Sequence, residues 1–393
     1  MVEKRSLISV DNIVAVLFAT GLYIKEFYIL ASGSLQIGDI LLLFAFVLCL
    51  LSKHIKLQHI DAPLFVFAAL AFCINVIYFI VYSDSSFIRY SLYLLFSLFV
   101  VLLSRSILYN DVALKYSSLA LKAALITQLA VRFLGRGRYF FGRYSGTLND
   151  PNQFGYYILM CVFSIYVISF LLKKKQQPLW IILGGFLIII SQSSGMLLGF
   201  AIFFALYIWR ITGDQTNIIK FFARFAVIVF LIASVIMLFS VEDLTQLNMG
   251  NGRLSGLTRL VNRISSGNST TDLLLFSLRD RSITRVVDNP LGLLYGTGEG
   301  MWTRYPSNNE IHATMISLCF YYGIIPYLLW ILWLKNNMEN IHPALLCVYV
   351  AHIAEAFTLA NHRQPFFWIL FVLASSVHAK QGLGNADTIK NCL

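Results

Sequence analysis

The sequence predicts an all-α integral membrane protein with about 12 transmembrane helices, and three observations predict it. The 393-residue chain is 58% hydrophobic and 12% charged, with a mean hydropathy of +0.73, against roughly 45–50% apolar and about 25% charged residues in soluble domains. Long apolar runs recur from Asn12 to Val377, and runs of about 20 such residues are what a hydrocarbon core near 30 Å demands. Apart from one long loop, the polar segments between them are short. These features exclude a water-soluble fold. Disorder, collagen and a soluble dinucleotide-binding fold are excluded too, because there is no polar low-complexity tract and no strand leading into a glycine-rich turn.

The first run, 12 to 31, follows Lys4 and Arg5 but lacks a small-residue cleavage site, which predicts a retained helix. Further spans are expected at 35 to 51, 62 to 82, 88 to 103, 112 to 131 and 152 to 172. Residues 179 to 209 could form one steep helix of about 46 Å at 1.5 Å per residue. Ser191-Gln-Ser-Ser-Gly195 at its centre instead predicts two short helices, 179 to 191 and 196 to 209, around a polar turn. The last spans are expected at 222 to 241, 311 to 334, 342 to 359 and 365 to 379. The chain thus divides into residues 1–241 with nine helices, an external arginine-rich loop at 242–310, and residues 311–393 with three helices and a cytoplasmic tail.

Charge placement supports the split. With both termini cytoplasmic, every lysine except Lys25 and Lys122 falls on the inner side, as the positive-inside rule requires. Arginine behaves differently: of 17, only Arg5, Arg105, Arg210 and Arg224 lie inside, and 13 lie outside. Arginine offers a planar fork that pairs bidentately with phosphate oxygens, whereas lysine is a strongly hydrated point charge. An outward-facing anion, a phosphate, is the simplest cause. The competing explanation pairs these arginines with lipid headgroups or with outer acids such as Asp150, Glu299 and Glu310, but the four arginines within 132 to 143 have only Asp150 near them in sequence.

Two external loops concentrate the polar residues. The first ends Arg143-Tyr-Ser-Gly-Thr-Leu-Asn-Asp-Pro-Asn-Gln-Phe-Gly155, where Asp150 is expected to cap a helix with Pro151 at its first position. Arg143 precedes that helix N-terminus, so charge and free backbone N–H groups could converge on one anion. The second loop is too long for a connector and is expected to fold. In it Leu273 to Val287 reads as an amphipathic helix with Arg281 and Arg285 on one face, stopped by Asp288-Asn-Pro290. Gly292 to Gly300 is glycine-rich but has no lysine at the P-loop position, so a tight turn is expected.

His312 stands at the mouth of the next span, two residues after Glu310, where an imidazole near pKa 6.5 suits proton acceptance. His352 and Glu355, at i and i+3 in an apolar span, are expected to face the bundle interior, with Lys122 a candidate to join them. Asn361-His-Arg-Gln364 reads as a small polar cap. The six cysteines form no CxxC, so packing is their expected role. With no HExxH, DxD or EF-hand loop, the acidic clusters that bind Mg²⁺ or Mn²⁺ are lacking and a metal-free, cofactor-free mechanism is expected. Tyr139, Phe140, Tyr144, Trp302 and Tyr305 are read as interface anchors, with sugar stacking the alternative.

Arg143-x-Ser-Gly-Thr-x-x-Asp-Pro-Asn, Ser191-Gln-Ser-Ser-Gly195, Arg281 followed by Asn289-Pro-Leu-Gly292 and Gly296-x-Gly298, and His312 leading into Tyr322-Gly-Ile-Ile-Pro together resemble the O-antigen polymerase and O-antigen ligase superfamily. The resemblance spans roughly 140 to 380. It implies a GT-C-like membrane glycosyltransferase that acts on undecaprenyl-diphosphate-linked sugars at the periplasmic face of the bacterial inner membrane. By that resemblance Arg143 and Arg281, with Arg279 or Arg285 in support, hold the departing diphosphate, and His312 takes the acceptor proton. Arg136, Arg138, Asn152 and Glu310 complete the candidate substrate-binding set. One departure is Ser194, where family members commonly carry arginine. The Asp-Pro-Asn segment looks more like a polymerase than a ligase. The implied partners are a lipid-linked oligosaccharide, membrane lipids, a chain-length regulator and a flippase, with no nucleic acid. The rival readings are a ligase acting on a lipid A core, a transporter of lipid-linked oligosaccharide, and a signalling or scaffold membrane protein.

Overall fold

A computed structural model describes residues 10–30, 35–140, 142–212, 224, 282–306, 309–339 and 341–381. The helix expected at 222 to 241 and most of the loop at 242 to 310, including Arg279 and Arg281, lie outside the described residues.

The described chain is mostly helical: α1 Val10–Ile24, α2 Ile37–Leu51, α3 Ala62–Tyr82, α4 Ser86–Ile107, α5 Asp111–Phe133, α6 Pro151–Leu171, α7 Pro178–Ser191, α8 Ser194–Ile211, then the short α9 Thr284–Asp288 and α10 Gly292–Tyr295, then α11 Thr314–Tyr322, α12 Ile324–Met338, α13 Leu346–Ala356 and α14 Pro365–Gln381. Four stretches are long and apolar enough to cross a membrane: His59–Tyr82, Ser86–Ile107, Pro151–Leu171 and Ser194–Ile211. That length and composition mark a membrane protein.

α6 is the axis. It is apolar all round and buried along its whole length, as a helix enclosed by others must be. Helices α5, α7, α8 and α14 surround it, while α1 packs on α2 and α5, α3 on α4 and α12, and α8 on α13.

The split at 191 to 195 is present. α7 ends at Ser191, Gln192 turns left-handed at φ 53°, and α8 begins at Ser194. Elsewhere the structure corrects the expected elements. The fold is not all helix: Arg138–Phe140 (β1) and Arg143–Gly146 (β2) form an antiparallel hairpin with an irregularity at Arg138/Tyr139. The expected span at 311 to 334 is two helices, because Gly323 (φ 78°) breaks it where a Cβ would sit 2.6 Å from the Leu294 carbonyl oxygen. Of the helix expected at 273 to 287, residues 273–281 lie outside the described residues; Ser282 is left-handed at φ 53° and Arg285 sits on the short α9. The stop after Asp288 is present. His312 lies in the segment before α11 rather than opening it.

At the end of the bundle opposite the hairpin, Arg105 is fully buried and bonds both Asp61 oxygens, Nε to Oδ2 at 3.0 Å and Nη2 to Oδ1 at 2.8 Å. Asn337 and Ser375 accept its remaining bonds, and Trp333 Nε1 donates to Asp61 at 2.9 Å. This network ties α4, α12 and α14 to the start of α3. Lys122 does not join His352 and Glu355. It bonds Gln177 at 3.2 Å and lies 5.3 Å from the Trp180 ring, drawn towards the end where α7 begins. Cys49, Cys161 and Cys347 are buried and unpaired, in keeping with a packing role.

Candidate functional site

The stretch from Arg143 to Gln153 and the turn at Ser191 to Ser193, about 40 residues further on, meet at the N-terminus of α6. Asp150 caps the helix, its Oδ1 accepting from the Asn152 and Gln153 amides at 2.8 and 3.0 Å. Its own carbonyl takes the Phe154 amide, and Pro151 has none to offer. The expected free N–H groups are therefore already satisfied, and an anion here would rely on side chains. Arg143 supplies one. It donates from Nη2 to Asn152 Oδ1 at 2.8 Å and from Nε to the Ser191 carbonyl at 3.3 Å, while Ser193 Oγ donates to the same Asn152 oxygen at 2.9 Å. Nη1 makes no further bond among the described residues. Burial pulls Arg143 below the usual guanidinium range, and nearby Asp150 pushes it back.

The hairpin delivers Arg143. Tyr144 beside it is buried, edge-on to the Phe154 ring at 5.3 Å, with the Arg132 guanidinium 5.5 Å from its centre. Following β2, Thr147 donates to the Glu26 carbonyl at 2.5 Å, and Gln128 bridges Glu26 and Thr147. Arg138 is exposed on β1, 5.8 Å from the Tyr28 ring centre. Arg136 is exposed, and its side chain makes no hydrogen bond, ion pair or ring contact among the described residues.

A second cluster gathers around Glu299, in the glycine-rich turn. The turn is a structural one, as expected. The Thr297 and Gly298 amides donate to the Tyr321 carbonyl, and the Glu299 amide to Asn75 Oδ1 at 2.8 Å, so they are not aimed at a ligand. Buried Glu299 accepts from Arg363 Nη2 at 2.5 Å and Nε at 2.8 Å and from Tyr322 at 2.6 Å, with His362 Nε2 at 3.1 Å. Arg363 also donates from Nη1 to Glu310 Oε2 at 2.5 Å. Burial opposes ionisation of Glu299, but Arg363, His362 and the Tyr322 hydroxyl outweigh it and hold the carboxyl down at about 2. Glu310 is held low in the same way, burial being overcome by Arg363 and His312.

His312 joins this cluster. Its Nδ1 is 3.8 Å from Glu310 Oε1 and its ring is 40% exposed. Arg285 is nearby, buried, 4.1 Å from the Tyr305 ring centre and donating to the Asn309 carbonyl. Burial lowers it, and Tyr321 and Tyr305 offset that. Deeper in the bundle His352 and Glu355 pair at 3.3 Å, fully buried on α13, and Asn361 Nδ2 donates to Glu355 at 2.9 Å.

Of the expected site residues, Arg143 and Asn152 come together, as do Arg285, Glu310 and His312, but Arg143 does not touch His312. Glu299 and Arg363 were missed as a pair. They lie 64 residues apart, and the one hint was an arginine and a histidine together in Asn361-His-Arg-Gln364. The chain matches no protein-family model, no curated protein and no solved structure.

Proposed function

We propose that this chain is a bacterial inner-membrane glycosyltransferase of about 12 spans and GT-C-like architecture, with both termini cytoplasmic. It polymerises polysaccharide repeat units carried on undecaprenyl diphosphate. The observation that carries the reading is the convergence of Arg143, Asn152 of Asp-Pro-Asn and Ser193 of the 191 to 195 turn on one end of the central helix. These belong to two of the segments on which the family resemblance rests.

In this reading the acceptor hydroxyl oxygen forms a bond to the anomeric carbon of the donor glycan as the bond from that carbon to the diphosphate breaks. Arg143 and Arg285 stabilise the negative charge that develops on the departing diphosphate, an effect worth about 10²- to 10³-fold per preorganised donor. Arg279 and Arg281 belong to the same proposal. Glu310 lies 3.8 Å from His312 Nδ1, and in this reading His312 takes the hydroxyl proton. No metal enters this scheme.

A specific observation favours a second reading. The buried His352–Glu355 pair is the kind of intramembrane ionisable group that marks ion-coupled transport, so a transporter of lipid-linked oligosaccharide is the rival. Purified protein given an undecaprenyl-diphosphate-linked repeat unit tests both. A product ladder from wild type, reduced about 100-fold or more by Arg143→Ala and by His312→Ala, is expected. A ladder only with a lipid A core acceptor would make it a ligase. No product with either acceptor, but transbilayer movement of the lipid-linked sugar in proteoliposomes, would make it a transporter.

A further inference from the structure

The hairpin that delivers Arg143 presents its other strand outward. Tyr144, Ser145 and Gly146 of β2 are buried, whereas Arg138, Tyr139 and Phe140 of β1 are exposed. The exposed stretch begins at the end of α5, with Phe133 at 76% and Leu134 at 73%, and continues through Arg136 to Tyr139 at 58% and Phe140 at 46%. We infer that residues 133–140 dock an anionic phospholipid of the surrounding leaflet. Arg136 and Arg138 hold its phosphate, and Phe133, Tyr139 and Phe140 lie against its glycerol and upper acyl chains. This inference does not rest on the glycosyltransferase reading, and it gives Arg136 and Arg138, candidates there for the substrate, to the membrane instead.

Charge calls for an external anion. Among the described residues the Arg136 and Arg138 side chains make no hydrogen bond and no ion pair, Arg138 meeting only the Tyr28 ring, 5.8 Å from its centre. Three acids at this end of the bundle are engaged elsewhere: Glu26 is buried against Gln128, Asp39 pairs with Lys25, and Asp150 caps α6. A guanidinium fork left open pairs bidentately with phosphate oxygens. Arg143 is placed differently, bonded to Asn152 and to the Ser191 carbonyl.

Composition makes that anion a lipid. Exposed apolar surface rimmed by charge marks an interaction site, and aromatic rings beside a helix end are the pattern of headgroup depth in a bilayer. Docking to an anionic leaflet strengthens with buried apolar area and with cationic charge together, and this stretch offers both. The hairpin is braced from behind, since a Cβ on Gly137 would lie 2.2 Å from the Tyr144 ring, and the Arg132 guanidinium lies 5.5 Å from that ring's centre. A docked lipid therefore steadies β1, the strand paired with the one that carries Arg143.

The test is quenching of a bimane fluorophore by brominated phospholipids, on the purified full chain in nanodiscs of phosphatidylcholine and phosphatidylglycerol, with bromine on one lipid at a time. The fluorophore is attached at Leu134→Cys in a chain carrying Cys73→Ala, Cys319→Ala and Cys392→Ala, and for comparison at the native, exposed Cys73 of α3. At Leu134, phosphatidylglycerol is expected to be preferred by about fivefold or more, the gain one arginine brings near an anionic surface. Cys73 should show little preference. Arg136→Gln with Arg138→Gln should bring the preference at Leu134 down to the Cys73 value, while unchanged quenching at Cys73 reports an intact bundle.

The inference is overturned if the two lipids quench equally at Leu134, or if the preference survives the double substitution. It is overturned too if inorganic pyrophosphate removes the preference when sodium chloride of equal ionic strength does not, because the two arginines would then hold a diphosphate rather than the leaflet.

Discussion

Replacing Glu299 by glutamine removes the anion around which one cluster is built, and the cost can be worked out. The carboxyl falls from an ordinary 4.5 to about 2, and at 1.36 kcal/mol per unit this corresponds to about 3 kcal/mol of stabilisation. Glu299 is 2% exposed, so solvent screening takes little of that away. Because the folded-state pKa lies below the unfolded one, the stabilisation is fully present above about 4.5 and is lost as pH falls through about 2. At pH 7 Glu299→Gln should therefore be about 3 kcal/mol less stable than wild type, and the gap should close between pH 4.5 and 2. Reversible unfolding in mixed micelles, followed through the fluorescence of buried Trp330, Trp333 and Trp368, reads both quantities. Equal stability at pH 7, or a gap that persists in acid, would refute the reasoning.

At the other end of the bundle, Arg105→Met should cost about 3–5 kcal/mol, because it leaves Asp61 buried with its charge unpaired. Adding Asp61→Leu should recover most of that in the same unfolding assay, and no recovery would show that the pair itself is not the determinant. A single cysteine at Ser266 should react with a membrane-impermeant maleimide from outside the cell, whereas labelling only after permeabilisation would reverse the proposed topology.

Much of the fold was legible because its signals are local. Pro151 after Asp150 marked the start of α6, and the Ser-Gln-Ser-Ser-Gly run marked the break between α7 and α8, since a cap and a polar turn are chosen by neighbouring residues. The glycine-rich segment likewise read as a turn. The hairpin was not legible. Its strands are three and four residues long with an irregular register, too short for alternation to show. The break at Gly323 was hidden by apolar residues on both sides. It is set by the approach of Leu294 from another segment.

The candidate site divides along the same line. Sequence by itself determined that the chain is a helical, membrane-type protein, and that Arg143, Asn152 and His312 belong to polar segments at helix ends. Only the tertiary structure decided that Arg143 is held by Asn152 and the 191 to 195 turn, and that Glu299 is clasped by Arg363. The physical reason is that apolar periodicity and capping act over a few residues. An ion pair instead depends on packing between helices 40 to more than 200 residues apart, and no short stretch of sequence encodes that packing.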